Sequence, residues 1–232
     1  MANLIQSNNA NIKIFGAKLS AGTVGSIPPA IDLLAGLQAF YKLSDTSDSS
    51  GNNRTLTNNG NVSFASGKLG NAAVFDTTNW LDCPPFNAPN DFSVSFWGST
   101  PLDGGNGAIF VNQYPGLFIG TRNDGSVAFG DMSSWESISL TEIVTANTWY
   151  HYCLVRNGET ANLYINNVLA TSSSGNLPDL TNDGRNFGFF GNPEDGHVWD
   201  SGSIDAVGIW NRALSEGEVS ALYNSGNGLE LN

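Results

Sequence analysis

The chain has 232 residues, 40% of them hydrophobic and only 13% charged, with 9 basic against 21 acidic side chains and a net charge of −12. That field repels nucleic acid, and no Lys/Arg cluster offsets it locally, which excludes a nucleic-acid partner. No apolar run reaches the ~20 residues a membrane helix requires, so membrane insertion is not expected. The opening MANLIQSNNANIKIFG also lacks the basic region and apolar core of a Sec signal peptide. The polar remainder is largely Gly, Asn, Ser and Thr, the chemistry of turns between many short strands. The acidity keeps the chain soluble and, with many Asp and Asn, also suits a hard cation such as calcium.

Residues 1–35 differ from the rest: they are rich in Asn, Ala and Gly and contain one alternating stretch at Asn11–Phe15 and a Pro28-Pro29 break. Ile12 and Ile14 would share a face, with Lys13 opposite. This segment reads as an extended arm, an extra edge strand or a disordered tail. An arm whose apolar residues lack a local core packs on a neighbouring subunit, although Ile12, Ile14 and Phe15 equally suit their own domain.

From Gly36 onward strand candidates recur between turn signals. They are Leu37–Leu43, Ala72–Phe75, Phe92–Trp97, Ala108–Val111, Leu117–Thr121, Val127–Asp131, Trp149–Arg156, Ala161–Ile165, Val168–Thr171, Phe187–Phe190 and Ser203–Trp210. Phe92–Trp97 alternates, with Phe92, Val94 and Phe96 on one face. Asn157-Gly158 marks a hairpin, because both residues tolerate positive φ. Such spacing predicts an antiparallel sandwich or jelly roll rather than alternating strands and helices. One short helix is expected near the end: Ser215 and Glu218 form a capping box, Leu214 and Val219 a hydrophobic staple, and Gly226 lies where a C-terminal cap would sit. Cys153 lies in an apolar strand pattern, and its pairing with Cys83 cannot be read from sequence.

Three stretches carry a family resemblance: LQAFYKL through GKLGNAAVF (37–75), DFSVSFW with TWYHYCLVRNGETANLYINN (91–97 and 148–167), and IDAVGIWNRALSEGEVSALYNSG (204–226). Together they resemble the laminin-G-like, concanavalin-A-like jelly-roll superfamily over roughly residues 37–231. The resemblance implies an all-β, two-sheet antiparallel jelly-roll sandwich over residues 36–232, with a short C-terminal helix and an arm at 1–35. Its members serve as glycan- or protein-binding modules and as structural subunits of bacteriophage particles, and fold alone does not decide between these roles.

The resemblance also implies one structural calcium ion, with Asp48, Asn53 and Asp205 at the matching positions. The chemistry is sensible, since calcium takes carboxylate, amide and carbonyl oxygens. The structural alternative is an Asx-turn at Asp48 and pairing of Asp205 with Arg54 or Arg212. A second candidate is a ligand rim of Trp135, Trp199, His197 and Asp195, because aromatic rings stack on sugar faces while polar neighbours fix orientation. Such tryptophans otherwise plug the edge of their own core or an oligomer interface. Trp80, Trp97, Trp149 and Trp210 read as packing residues. No E-x-D-x-x-E carboxylate pattern, G-x-S-x-G, Walker A or H-E-x-x-H occurs, so no enzyme is expected.

Two functions follow as expectations. The first is a virion component, a capsid decoration or tail-fibre protein of a bacteriophage, joined to other virion subunits or to itself through the arm. The second is a glycan-binding lectin-type module of a surface or secreted protein that meets cell-surface glycan. Either places the chain at a virion or extracellular surface.

Overall fold

The computed structural model describes residues 6–8, 11–13, 31–85, 91–103, 107–132, 137–174, 180 and 184–231, with 6–8, 11–13 and 137–143 described by backbone alone. It divides into two units, residues 1–30 and 31–232. In the first, β1 (Gln6–Asn8) and β2 (Asn11–Lys13) pair antiparallel, with Gln6 opposite Lys13. Ile14 and Phe15 of the expected alternating stretch lie outside the described residues.

The second unit contains β3 (Leu37–Tyr41), β4 (Thr57–Asn59), β5 (Ser63–Ser66), β6 (Asn71–Phe75), β7 (Trp80–Cys83), β8 (Phe92–Ser99), β9 (Ile109–Gln113), β10 (Leu117–Thr121) and β11 (Ser126–Gly130). It continues with β12 (Ser137–Ile143), β13 (Tyr150–Asn157), β14 (Thr160–Ile165), β15 (Val168–Ser174), β16 (Phe187–Phe189), β17 (Gly202–Trp210) and the helix α1 (Glu216–Tyr223). One sheet has seven strands in the order β12-β11-β10-β9-β16-β7-β4. The other has eight in the order β15-β14-β13-β8-β17-β6-β5, with β3 also paired to β17. The pairings are antiparallel, as expected of a jelly-roll sandwich. Among the described residues no helix is long and apolar enough to cross a membrane.

Alternation builds the main core. Phe92, Val94 and Phe96 of β8 face inward as expected, and meet Phe110 and Phe129 from the opposite sheet. The Phe96 and Phe110 rings lie 5.5 Å apart, and Tyr152 sits 5.3 Å from Phe110. The opposite residues of the eight-stranded sheet are also buried, in a second core. There Trp97, Cys153, Val155 and Trp210 pack beneath Leu33, Leu37 and Phe40 and the helix residues Val219 and Leu222. The helix thus adds a third layer over one sheet face.

Its start matches the expected capping box: Glu218 N donates to Ser215 Oγ at 3.3 Å, and Ser215 N donates to Glu218 Oε2 at 2.8 Å. Its end does not sit where expected. The cap is Asn224, in the left-handed conformation, two residues before Gly226. Arg212 grips Glu218 through both arms of its guanidinium, at 2.9 and 2.6 Å. This fork, with the Ser215 contacts, holds the Glu218 carboxyl down at about 2.

Residues 32–35, assigned to the arm by composition, are stitched to the jelly roll. Trp210 Nε1 donates to the Leu33 carbonyl at 2.8 Å, and Arg212 donates to the carbonyls of Asp32 and Ala35 at 2.6 Å each. A buried indole and a guanidinium both need acceptors, and this extended segment supplies them. Cys83 and Cys153 are unpaired and lie in different cores, where burial pushes both thiols up to about 12.

Candidate functional site

The outer face of the seven-stranded sheet carries its own apolar stripe. Ile109 of β9, Phe118 of β10 and Ala128 of β11 point away from the main core and cluster with Met132, against which Trp199 packs. Their strand neighbours Phe110, Leu117, Ile119, Val127 and Phe129 point inward. LFIGT therefore shows no alternation because both of its faces meet apolar surroundings. Glycine lets the backbone close up here: a Cβ on Gly107 would lie 1.9 Å from the Thr121 carbonyl oxygen, and one on Gly120 would lie 2.4 Å from that of Ala108.

Residues 190–199 form a strap across this face. The strap is rooted by Phe190, whose buried ring stacks on Phe75 at 4.4 Å and meets Phe110 edge-on at 5.4 Å. From there the chain folds back on itself through the Gly191–Val198 bridge, the bond from Asn192 N to the His197 carbonyl (2.8 Å) and that from Trp199 N to the Phe190 carbonyl (3.1 Å). Asn112 ties it down by donating to the carbonyls of Gly188 and Gly191 at 3.3 and 2.8 Å. Gly191 rides on Trp80, where a Cβ would come within 2.5 Å of the Trp80 Cβ.

The strap contacts Trp80 of β7 and Asn112 of β9 and ends at Trp199, near β10 and β11. Between its end and those strands lies a cavity of about 430 Å³, lined by Ile109, Phe118, Arg122, Ala128, His197 and Trp199 together with the glycine edge at Gly107 and Gly120. The His197 and Trp199 rings meet edge to face at 5.3 Å. Trp199 is half-buried, while His197 and Arg122 are exposed at the rim. Thr121 also borders the cavity, but it is level with the inward-facing Val127, so its hydroxyl turns away.

Of the four expected rim residues, the fold thus brings Trp199 and His197 to one cavity. Asp195 stands beside them on the strap, accepting from His197 N at 2.9 Å, and does not line it. Trp135 lies outside the described residues. Sequence reasoning missed the floor of Ile109, Phe118 and Ala128, and Arg122 at the rim. The available signal was the apolar character of both faces of LFIGT.

The calcium candidates lie on two segments of the chain. Asp48 accepts from the amides of Phe40 (3.1 Å), Ser50 (2.8 Å) and Arg54 (3.0 Å), and from the Ser50 hydroxyl (2.9 Å). Burial pushes its carboxyl up, but these bonds outweigh it and hold the group below the usual range. The Ser50 bond makes the Asx-turn. Asn53 is exposed on the same loop. Asp205 is fully buried on a different segment, where Oδ2 accepts from Lys68 N and Leu69 N at 2.9 and 2.7 Å, and Oδ1 has no well-formed hydrogen bond. It pairs with neither Arg54 nor Arg212. Burial raises its carboxyl to about 7, against the pull of the Leu69, Ala206 and Lys68 amides. Both carboxylates accept from converging backbone N–H groups. Among the described residues no three His, Cys, Asp or Glu side chains gather as a metal site.

His151, buried in β13, shares a 2.8 Å hydrogen bond between Nε2 and the Ser95 hydroxyl, and burial lowers it to about 3. It packs between Trp97 and Tyr223 beneath the helix. Trp97 and Trp210 are core residues as expected, and Trp149 packs against the second core.

A search of curated proteins gives no match. Among solved structures, the chain is similar to domain 4 of AbnA, a GH43 extracellular arabinanase from Geobacillus stearothermophilus solved in complex with arabinotriose. Identity there is 25% and the TM-score 0.65, covering 83% of this chain and 98% of that one. It is also similar to the binding domain of Paraclostridial Mosquitocidal Protein 1 (23% identity, TM-score 0.66, 84% of this chain and 53% of that one). The receptor-binding domain of botulinum neurotoxin C/D mosaic serotype follows at 19% identity and TM-score 0.67, with coverage of 82% and 51%. The chain spans about half the length of the two toxin domains, and the likeness to them is one of fold. The sequence profile of the concanavalin A-like lectin/glucanases superfamily matches residues 70–220, well over half the chain. With the two-sheet jelly roll and its capped helix in view, the chain belongs to that superfamily.

Proposed function

We propose that this chain is a non-catalytic glycan-binding module whose ligand occupies the cavity beside Trp199 and His197. The observation that carries this reading is an apolar-floored, aromatic-walled cavity on the outer face of the seven-stranded sheet. Sites for small ligands have this make-up, with apolar and aromatic walls and few polar groups to fix orientation. The crystallised complex of domain 4 of AbnA with arabinotriose supports the same class of ligand. No carboxylate lines the cavity among the described residues, whereas glycoside hydrolysis requires two. A glycan array, followed by calorimetry on the best ligands, tests the reading. Saturable binding that is lost in Trp199→Ala is expected. Binding that Trp199→Ala leaves intact, or no binding to any glycan, would reject it.

A structural role at a bacteriophage surface is the second reading, and the division of the chain into a short unit of residues 1–30 and the jelly-roll unit favours it. Deleting residues 1–30 should then abolish oligomer or particle formation and leave glycan affinity unchanged. Assembly that survives the deletion removes this reading.

A further inference from the structure

We infer that the hairpin at 191–198 is a lid over a second sugar subsite, formed by Trp80 and Asn112 on the same sheet face as the cavity. This rests on the glycan-binding reading above and deepens it, since the two sites would take successive residues of one sugar chain.

Strand alternation places the subsite. Leu81 and Cys83 of β7 and Phe187 and Phe189 of β16 point into the main core, so Trp80, Asp82 and Gly188 face outward. Register then sets Asp82, Gly188, Asn112 and Phe118 level across β7, β16, β9 and β10, a row that ends on the cavity floor. Two of these side chains are polar and yet buried, with Asn112 0% and Asp82 6% exposed, and each needs partners. Asp82 has them, accepting from Asn59 Nδ2 at 2.6 Å and Asn186 Nδ2 at 2.7 Å. Asn112 is satisfied only as a donor, to the Gly188 and Gly191 carbonyls. Among the described residues its Oδ1 has no hydrogen-bond partner, and neither has the buried Nε1 of Trp80. An acceptor and a donor thus stand idle beside an aromatic ring, the set that orients a hydroxylated sugar.

The hairpin lies where the sugar would. A Cβ on Gly188 would lie 2.2 Å from the Gly191 carbonyl oxygen, and one on Gly191 would lie 2.5 Å from the Trp80 Cβ. Gly191 therefore fills the slot that Gly188, with no side chain, leaves between β9 and β7. The hairpin's own bonds close on itself: Asn192 N donates to the His197 carbonyl (2.8 Å), Gly196 N to the Asn192 carbonyl (2.9 Å) and Glu194 N to Asn192 Oδ1 (3.1 Å). Lifting it about its roots at Phe190 and Trp199 breaks the Asn112–Gly191 bond and none of these. The lifted state offers Asn112 and Trp80 to a ligand that uses the atoms left unpaired in the closed one. That difference in contacts is what a ligand needs in order to shift the population.

Hydrogen exchange on the free chain, together with calorimetry on arabinotriose and arabinohexaose, tests this. The Trp80 indole N–H should exchange about tenfold or more faster than that of Trp210, which is bonded to Leu33 in the second core. Arabinohexaose should bind about tenfold more tightly than arabinotriose, the equivalent of one or two added hydrogen bonds, and should slow the Trp80 exchange. Trp80→Ala and Asn112→Leu should each remove that advantage with arabinotriose affinity unchanged, and Trp80→Phe, which keeps a ring, should retain part of it. Equal affinities for the two sugars, an advantage that survives these variants, losses that are the same for both sugars, or a Trp80 indole as slow as that of Trp210 would overturn the inference; binding that Trp199→Ala abolishes would in those cases still uphold the cavity as the glycan site. If neither sugar binds, or Trp199→Ala leaves binding intact, the glycan reading fails and the inference fails with it.

Discussion

The two sheets of this sandwich treat their outer faces in opposite ways. On the outer face of the eight-stranded sheet, the C-terminal helix and Leu33 pack with Leu37 and Phe40 of β3 to bury Trp97, Cys153 and Trp210 in a second core. On the seven-stranded sheet, Ile109, Phe118 and Ala128 form the floor of a cavity edged by the strap at 190–199. Both faces carry apolar side chains and a tryptophan. One is closed by the C-terminal helix, and among the described residues the other carries a cavity beside Trp199. A cavity with apolar and aromatic walls marks a candidate ligand site in a way that scattered exposed residues do not.

The sharpest way to break the comparison is to truncate one tryptophan on each side. Trp210 is fully buried and donates to Leu33, so Trp210→Ala should cost about 3–5 kcal/mol in denaturant unfolding. Trp199→Ala, on the open side, should cost less than about 1 kcal/mol, within the range of surface changes. Equal losses would erase the distinction between a sealed and an open face.

Arg212→Gln comes next. It removes the fork to Glu218 and the bonds to Asp32 and Ala35, loosening the seal by about 2 kcal/mol at neutral pH. Glu218 titrates lower in the folded chain, about 2, than its ordinary 4.5. Its contribution is therefore present above pH 4.5 and lost as pH falls through 2. The gap between variant and parent in urea melts should narrow over that window to what the carbonyl bonds supply, and a gap independent of pH would show that the fork contributes nothing to it.

Asp205 works with the opposite sign. Its folded value of about 7 lies above the ordinary 3.8, so its contribution is whole below pH 3.8 and is lost as pH rises through 7. Asp205→Asn should stabilise the fold by about 1–2 kcal/mol at pH 8 and make little difference at pH 4. A variant that melts lower than the parent at pH 8 would mean that a charged carboxylate is required there.

What could be read from the sequence was what is local. Ser215 and Glu218 are three residues apart, and the capping box forms as expected. Leu117–Thr121 is observed with the bounds that its flanking turns imply. The strands not anticipated are Gln6–Asn8, Thr57–Asn59, Ser63–Ser66, Trp80–Cys83 and Ser137–Ile143, which carry short, polar or mixed patterns and owe their form to pairing. Trp199 and His197 stood out as aromatic residues in a polar loop. The floor beneath them did not, because it depends on β9, β10 and β11 lying side by side under a strap from residues 190–199. Asp205 shows the same limit. The amides that bond it are 136 and 137 residues away in the chain.

The most direct test of the open-face account is an amide chemical-shift map during titration with arabinotriose and, separately, arabinohexaose. The account predicts saturable shifts at Gly107, Gly120, Arg122 and Ala128 and along the strap to Trp199, with the helix at 216–223 silent. Shifts centred on the helix and β17, or none with either sugar, would contradict it.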